Sequence, residues 1–195
     1  MILGITGGIG SGKSTVTDVL KNRYGFRILK TDDMAKELEL PGHIVYERLK
    51  EEFGEGILTQ KDGPIDKEAF AALIYSDDDA LEKANGIIHP AVWAEVGRRT
   101  EDCKGNMLTG PHAAVETALP NDYFENLCDK IWYIHVDREV RIKRLMEDRG
   151  YTYEKCVGII SNQMSEEAFR SMADEVIDNS LPVEETIKTI GEILK

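Results

Sequence analysis

The sequence predicts an α/β protein, a five-stranded parallel sheet carrying helices on both sides in a three-layer arrangement. Three observations predict it. The chain opens on a short apolar run, Leu3-Gly4-Ile5-Thr6, which bends through Gly7, Gly8, Gly10 and Gly12 into an amphipathic segment starting at Lys13. Five strand candidates, beginning at Met1, Phe26, His112, Ile131 and Ala173, alternate with stretches of helical periodicity. Its 195 residues, 42% hydrophobic, suffice for one substantial α/β core with smaller appended segments.

Met1 to Thr6 reads as a buried strand and Lys13 to Arg23 as a helix. The bend between them, Gly7 to Ser14, fits the phosphate-loop pattern of glycine, four residues, glycine, lysine and serine or threonine. Glycines free the backbone to turn its amides inward, a nest for phosphate oxygens at the positive end of a helix. Gly8, Ile9, Gly10, Ser11, Gly12, Lys13, Ser14 and Thr15 are the expected nucleotide-binding stretch. Lys13 would reach the outer phosphates, and the Ser14 hydroxyl would complete the coordination of a Mg2+ ion. A glycine-rich bend is sometimes only a turn, but this one follows a strand, opens a helix and carries Lys-Ser-Thr.

Phe26 to Thr31 reads as the second strand, ending at Asp32-Asp33. Ligands of parallel α/β sheets gather at strand carboxyl ends, where a carboxylate can accept the proton of an acceptor hydroxyl or help hold magnesium. Capping the next helix, expected from about Met34, is the other role open to this pair. Asp32 is the better chemical candidate and Asp33 the better cap. Residues 34 to 90 read as a mainly helical insertion suited to binding an acceptor, with helices over Met34–Leu40, Ile44–Phe53, Ile65–Ile74 and from Asp77-Asp78-Asp79 to about Ile88. His89-Pro90 is expected to break the pattern before a helix over Ala91–Thr100. His89 is either a substrate contact or a cap or packing residue.

Glu101 to Gly110 is a polar connection, and His112 to Glu116 the next strand. Glu116 would stand at that strand's end, able to contact magnesium through water, position the acceptor, or hold a loop together. A helical portion is expected around Tyr123, followed by the strand Ile131–Val136. Asp137 is placed to cap a helix carrying Arg138, Arg141, Lys143 and Arg144, with Arg141 and Arg144 on one face. Asp148, four beyond Arg144, is placed to pair with it. Guanidinium groups bind phosphoryl charge bidentately, so this cluster suits transferring phosphates; a solvated helix with surface ion pairs is the alternative. Arginines up to Arg149, beside Gly150, would make a lid that excludes water. Helices over Thr152–Ser161 and Glu166–Met172, a strand over Ala173–Asp178 and a closing helix over Pro182–Leu194 complete the chain.

Formal charge is −12, from 36 acidic and 24 basic residues. That balance argues against nonspecific binding to a polyanion, so no nucleic-acid partner is expected. No apolar segment is long enough to span a bilayer and the opening residues are not a basic leader, so a cytoplasmic protein without a membrane partner is expected. A monomer is the expectation, with a homo-oligomer left open. Cys103, Cys128 and Cys156 lie far apart and, with four scattered histidines, offer no zinc-ligand spacing.

The chain resembles the dephospho-coenzyme A kinases over nearly its whole length. The likeness runs through Thr6-Gly7-Gly8-Ile9-Gly10-Ser11-Gly12-Lys13-Ser14-Thr15, Thr31-Asp32, Pro41-Gly42, Phe53-Gly54, Asp62-Gly63, His89-Pro90, Cys128-Asp129, Arg144-Leu145-Met146, Gln163, Ala173-Asp174 and Val176-Ile177-Asp178-Asn179. The opening motif occurs in many kinases; its combination with the mid-chain His-Pro and the late Ile-Asp-Asn is specific. The resemblance implies transfer of the ATP γ-phosphoryl group to the ribose 3′-hydroxyl of dephospho-coenzyme A. It implies Asp32 as the acceptor-orienting acid, Gly10 to Thr15 as principal nucleotide contacts, and Arg144 with the lid after it as a phosphate clamp. The region following Asp178 would approach the adenine.

The sequence departs from the family pattern in four places. Lys30 stands where many relatives carry the first acid of an Asp-x-Asp pair, and Asp148-Arg149-Gly150 replaces Arg-Asp-Gly, leaving Arg149 as the shifted candidate for the usual arginine. Phe169 occupies an often basic position, with Arg170 beside it. Ala118-Leu119-Pro120-Asn121-Asp122 replaces Pro-Leu-Leu-x-Glu.

Together these features predict a phosphate-loop kinase core over 1–33, 91–143 and 173–195, a helical acceptor-binding insertion over 34–90 and a helical lid over 144–172. Lys13, Asp32, Arg144 and Arg149 are the expected catalytic residues, with Asp32, His89 and Glu116 toward the acceptor. Another small-metabolite or nucleoside monophosphate kinase is the alternative. A nucleotide switch fits less well, because the Asn-Lys-x-Asp segment for guanine is absent. A silent nucleotide-binding protein would bind ATP without transferring to any acceptor.

Overall fold

The structure, a computed structural model, describes residues 1–104 and 110–195. Part of the connection expected over Glu101–Gly110 therefore lies outside the described residues, and Glu101–Cys103 form one 3-10 turn. In chain order the elements are β1 (Ile2–Thr6), α1 (Lys13–Tyr24), β2 (Arg27–Lys30), α2 (Thr31–Leu38), α3 (Ile44–Phe53), α4 (Lys67–Ser76) and α5 (Asp78–Arg99). There follow β3 (Ala113–Thr117), α6 (Asp122–Leu127), β4 (Lys130–His135), α7 (Arg138–Arg149), α8 (Tyr153–Ser161), α9 (Glu166–Met172), β5 (Glu175–Asp178) and α10 (Val183–Ile193). The chain divides into two compact units, Met1–Leu29 with Thr100–Lys195, and Lys30–Arg99.

The first unit holds the expected sheet, in the order β2-β3-β1-β4-β5. β1 runs parallel to both β3 and β4, and β4 to β5. Every residue of β1 is buried, as a central strand of a covered parallel sheet requires. The chain leaves β1 toward one side of the sheet and later returns to its other side. This reversal at β1 opens a crevice at the strand's carboxyl end.

Side chains alternate across a strand, so Leu3 and Ile5, Trp132 and Ile134, and Ile177 share one face and pack on Val16, Val19 and Leu20 of α1 and Ile190 of α10. On the other face α6 comes so close that a Cβ at Gly4 would lie 2.5 Å from the Phe124 ring. Phe169 of α9 stacks on Tyr133 with ring centroids 5.0 Å apart. These are the three predicted layers. A satellite cluster of Ile142 and Leu145 on α7 and Cys156 on α8 receives Ile9 of the phosphate loop. Asp137 occupies the N-cap position of α7 without the expected side-chain cap; its own N–H donates to Ser180 Oγ at 2.9 Å.

The second unit is helical, with α2, α3 and α4 all contacting the 22-residue α5. Asp66 caps α4 by accepting from Glu68 and Ala69, and Asp77 caps α5 by accepting from Asp79 and Ala80. Two expectations are corrected. α2 begins at Thr31, not Met34, so neither Asp32 nor Asp33 is a cap: both lie in its first turn and the N-cap is Lys30. α5 also runs unbroken through His89-Pro90. An interior proline costs about 3 kcal/mol, and buried Ala80 and Ala84 before it and Val92, Trp93 and Val96 after it offset that cost by packing both halves of the helix.

Candidate active site

β1 delivers the chain into the loop at Gly7, and Gly12 hands it to α1. Four of the loop's carbonyls are engaged by side chains. Lys13 Nζ donates to the oxygens of Gly7 and Gly8 at 2.8 and 3.2 Å. Arg141 Nε donates to the oxygen of Ile9 at 2.5 Å, and Asn179 Nδ2 to that of Ser11 at 2.9 Å. The Gly8 oxygen also accepts from the Ser11 N–H at 3.2 Å, so the loop is braced both from within and from α7 and the segment after β5, in the position where a phosphate loop receives phosphate at a helix N-terminus.

Asn179 follows β5 directly and is 4% exposed. Its N–H donates to the His135 oxygen at 2.8 Å, its Oδ1 accepts from Thr186 Oγ1 at 2.9 Å, and its carbonyl accepts from Arg144 Nη2 at 2.9 Å. One side chain thus ties the loop to α10, while its backbone takes Arg144 from α7. Gly12 leaves room for it: φ is +80°, and a Cβ there would lie 2.1 Å from Asn179 Nδ2. Gly12→Ala should therefore lose about 1 kcal/mol to left-handed strain and a further ~1–3 kcal/mol by displacing a buried amide from its acceptor. Thermal unfolding with ATP titration would check this; a variant with parental stability and affinity contradicts it.

Of the arginines with no carboxylate partner shown among the described residues, Arg23, Arg48 and Arg149 are exposed, while Arg141 and Arg144 are partly buried and hydrogen-bonded. Arg27 faces Asp102, Arg98 and Arg99 face Glu95, Arg138 faces Glu139 and Arg170 faces Glu166. Arg141 and Arg144 face no carboxylate among the described residues, and their hydrogen bonds go to backbone oxygens and to Gln163. The expected Arg144–Asp148 pair is thus replaced by the bond to Asn179, because the inward face of α7 turns Arg144 toward the loop. Burial pulls Arg141 below the usual guanidinium pKa, partly opposed by Tyr133. Gln163 Oε1 accepts from both Arg141 Nη2 and the Ile9 N–H.

The predicted residues are distributed as follows. Gly8, Ile9, Gly10, Ser11, Gly12, Lys13, Ser14 and Thr15 form the loop and the first turn of α1. Ser14 is exposed, whereas Ser11 is buried. Glu116 stands one residue from the end of β3, opposite Ile5 of β1, with one carboxylate oxygen buried. Arg149 is exposed in the last turn of α7, which Gly150 ends with φ +63°. Asp32 and His89 belong to the other unit, both exposed, in the first turn of α2 and in α5. Arg141 was visible in the sequence only as a neighbour of Arg144, and Gln163 and Asn179 only through the family likeness; their partners lie too far along the chain for local spacing to reveal. All three cysteines are free, and burial pushes the Cys128 thiol up to about 12, so it stays protonated at neutral pH.

No helix among the described residues is long and apolar enough to cross a membrane. The family model for dephospho-CoA kinase matches residues 1–185. A dephospho-CoA kinase of Carboxydothermus hydrogenoformans is 34% identical over 194 residues, covering 100% of this chain and 93% of its own. One from Oceanobacillus iheyensis is 33% identical over 199 residues, covering 100% and 96%. A crystal structure of a Thermus thermophilus protein superposes with a TM-score of 0.77 at 29% identity, covering 100% of this chain and 96% of that one. A braced phosphate loop, two arginines without acids beside it and a match over nearly the whole sequence lead to one conclusion: the chain belongs to the dephospho-CoA kinase family.

Proposed function

We propose that this ATP-dependent kinase transfers the γ-phosphoryl group to the ribose 3′-hydroxyl of dephospho-CoA, the last step of coenzyme A synthesis, using Lys13, Arg144 and Asp32. The family match carries the acceptor, and the phosphate loop with its braced carbonyls supports the donor site. On binding ATP, Lys13 exchanges its bonds to Gly7 and Gly8 for the outer phosphates and follows the charge that develops during transfer. Arg144, already braced on Asn179, supplies a second cation from α7.

Mg2+ fits the donor set present. Among the described residues no group of three or more His, Cys, Asp or Glu side chains could cage a metal. An exposed Ser14 hydroxyl behind the phosphate cradle suits an ion held chiefly by nucleotide phosphates and water, with Glu116 available through water. When bound, the ion would neutralise phosphate charge.

The deciding experiment is a coupled assay with ATP, magnesium and dephospho-CoA, with adenosine monophosphate and pantothenate as comparison acceptors. Rapid turnover of dephospho-CoA is expected; phosphorylation of a comparison acceptor alone overturns the proposal. Arg144→Ala should lower kcat/KM by roughly 10- to 100-fold. A change confined to thermal stability would instead assign Arg144 a purely structural part.

A further inference from the structure

Arg141 is a cation that the site as so far described leaves unused. Its guanidinium lies against the loop, so close that a Cβ at Gly8 would sit 2.0 Å from Nη2, and its stem passes Gly10. Nε is fixed on the Ile9 carbonyl and Nη2 on Gln163. The same Gln163 oxygen accepts the Ile9 N–H at 3.2 Å, closing a small ring of bonds around one residue of the loop. Ile9's side chain packs into the cluster between α7 and α8, so side chain and backbone are held from the same quarter.

Charge distinguishes this arrangement from a simple strut. A partly buried guanidinium pays for desolvation, and a carboxylate partner is the usual remedy. This chain has 36 acidic side chains to offer, yet Arg141 is given neutral oxygens only. A carboxylate in their place would have stabilised the free protein and cancelled the field over the loop. Neutral acceptors orient the guanidinium and leave its charge available to an anion. Arg141 also keeps the Ile9 carbonyl engaged when Lys13 leaves Gly7 and Gly8 for the nucleotide.

We propose that Arg141 is a further phosphate-binding residue, a fixed counter-charge for the nucleotide's phosphates whose orientation is set by Gln163 and the Ile9 carbonyl. The proposal rests on the phosphate loop being the nucleotide site and is independent of which acceptor is used. Three arginines and lysines then serve the phosphates from two helices: Lys13 from α1, and Arg141 and Arg144 from α7, one helical turn apart.

Equilibrium binding of ATP, ADP and adenosine, measured by calorimetry without acceptor, tests it in two variants. Arg141→Gln should weaken ATP roughly tenfold and ADP less, leaving adenosine within about twofold. Gln163→Glu keeps the shape and the acceptor for Ile9 but sets a carboxylate beside Arg141. If the charge serves the phosphates, ATP should weaken about fivefold or more although the new ion pair leaves the thermal midpoint equal or higher. If Arg141 only braces the loop, Gln163→Glu strengthens that brace and ATP binds as tightly as in the parent, which overturns the proposal. Unchanged ATP affinity in Arg141→Gln overturns it too. Parental ATP binding that fails to yield coenzyme A in the coupled assay would count against the acceptor assignment and leave Arg141 untouched.

Discussion

Lys13→Ala should lower turnover by roughly 10²- to 10³-fold, the loss typical when one preorganised donor to developing charge is removed. The variant should have two separable consequences. In the free protein the ammonium bridges the Gly7 and Gly8 oxygens, so its removal releases two of the four pinned carbonyls. In the loaded enzyme, on the proposed mechanism, it would remove a charge that serves the phosphoryl group in transit. The first effect acts on nucleotide binding and the second on kcat, and Arg141 and Asn179 still hold the oxygens of Ile9 and Ser11. Saturating ATP should therefore fail to restore the rate, and a kcat within about twofold of the parent at saturation would remove Lys13 from the transfer step.

What was legible in the sequence follows the range of the interactions. β1, the loop and α1 were readable because their signals are local: an apolar run, glycines where the backbone needs them, and Lys-Ser-Thr at a helix start. The five strands were placed within a few residues for the same reason. α2 began early because Thr31, Asp32 and Asp33 are all plausible helix openers, and propensity ranks residue types without choosing among adjacent ones. Pro90 misled because the burial of Val92, Trp93 and Val96 is tertiary and outweighs a local breaker. Asn179 shows the limit most plainly. Its acceptor on Ser11 is 168 residues away, and nothing in the motif around either residue announces the other.

Asp32→Asn should leave ATP affinity within about twofold while reducing turnover of dephospho-CoA by roughly 10²- to 10⁴-fold, the span usual for a positioned general base. The two neighbouring acids offer an internal control. Both are exposed in the first turn of α2, neither caps it, and both would be expected to have similar effects on helix stability. They differ in their partners. Asp33 Oδ1 receives Lys36 Nζ at 3.2 Å, one turn on, whereas Asp32 has no ion-pair partner among the described residues. Asp33 is turned toward Lys36 on the helix surface, so Asp33→Asn should keep most of the activity. Asparagine at position 32 preserves size and one acceptor oxygen but removes the basic group. The loss should thus fall on kcat more than on the KM for either substrate, and adding ATP should not repair it. Equal losses in the two variants would mean that the turn's negative charge, not Asp32 as a base, supports transfer. Near-normal turnover in Asp32→Asn would remove the acid from the mechanism and leave activation of the hydroxyl to the phosphate side of the site.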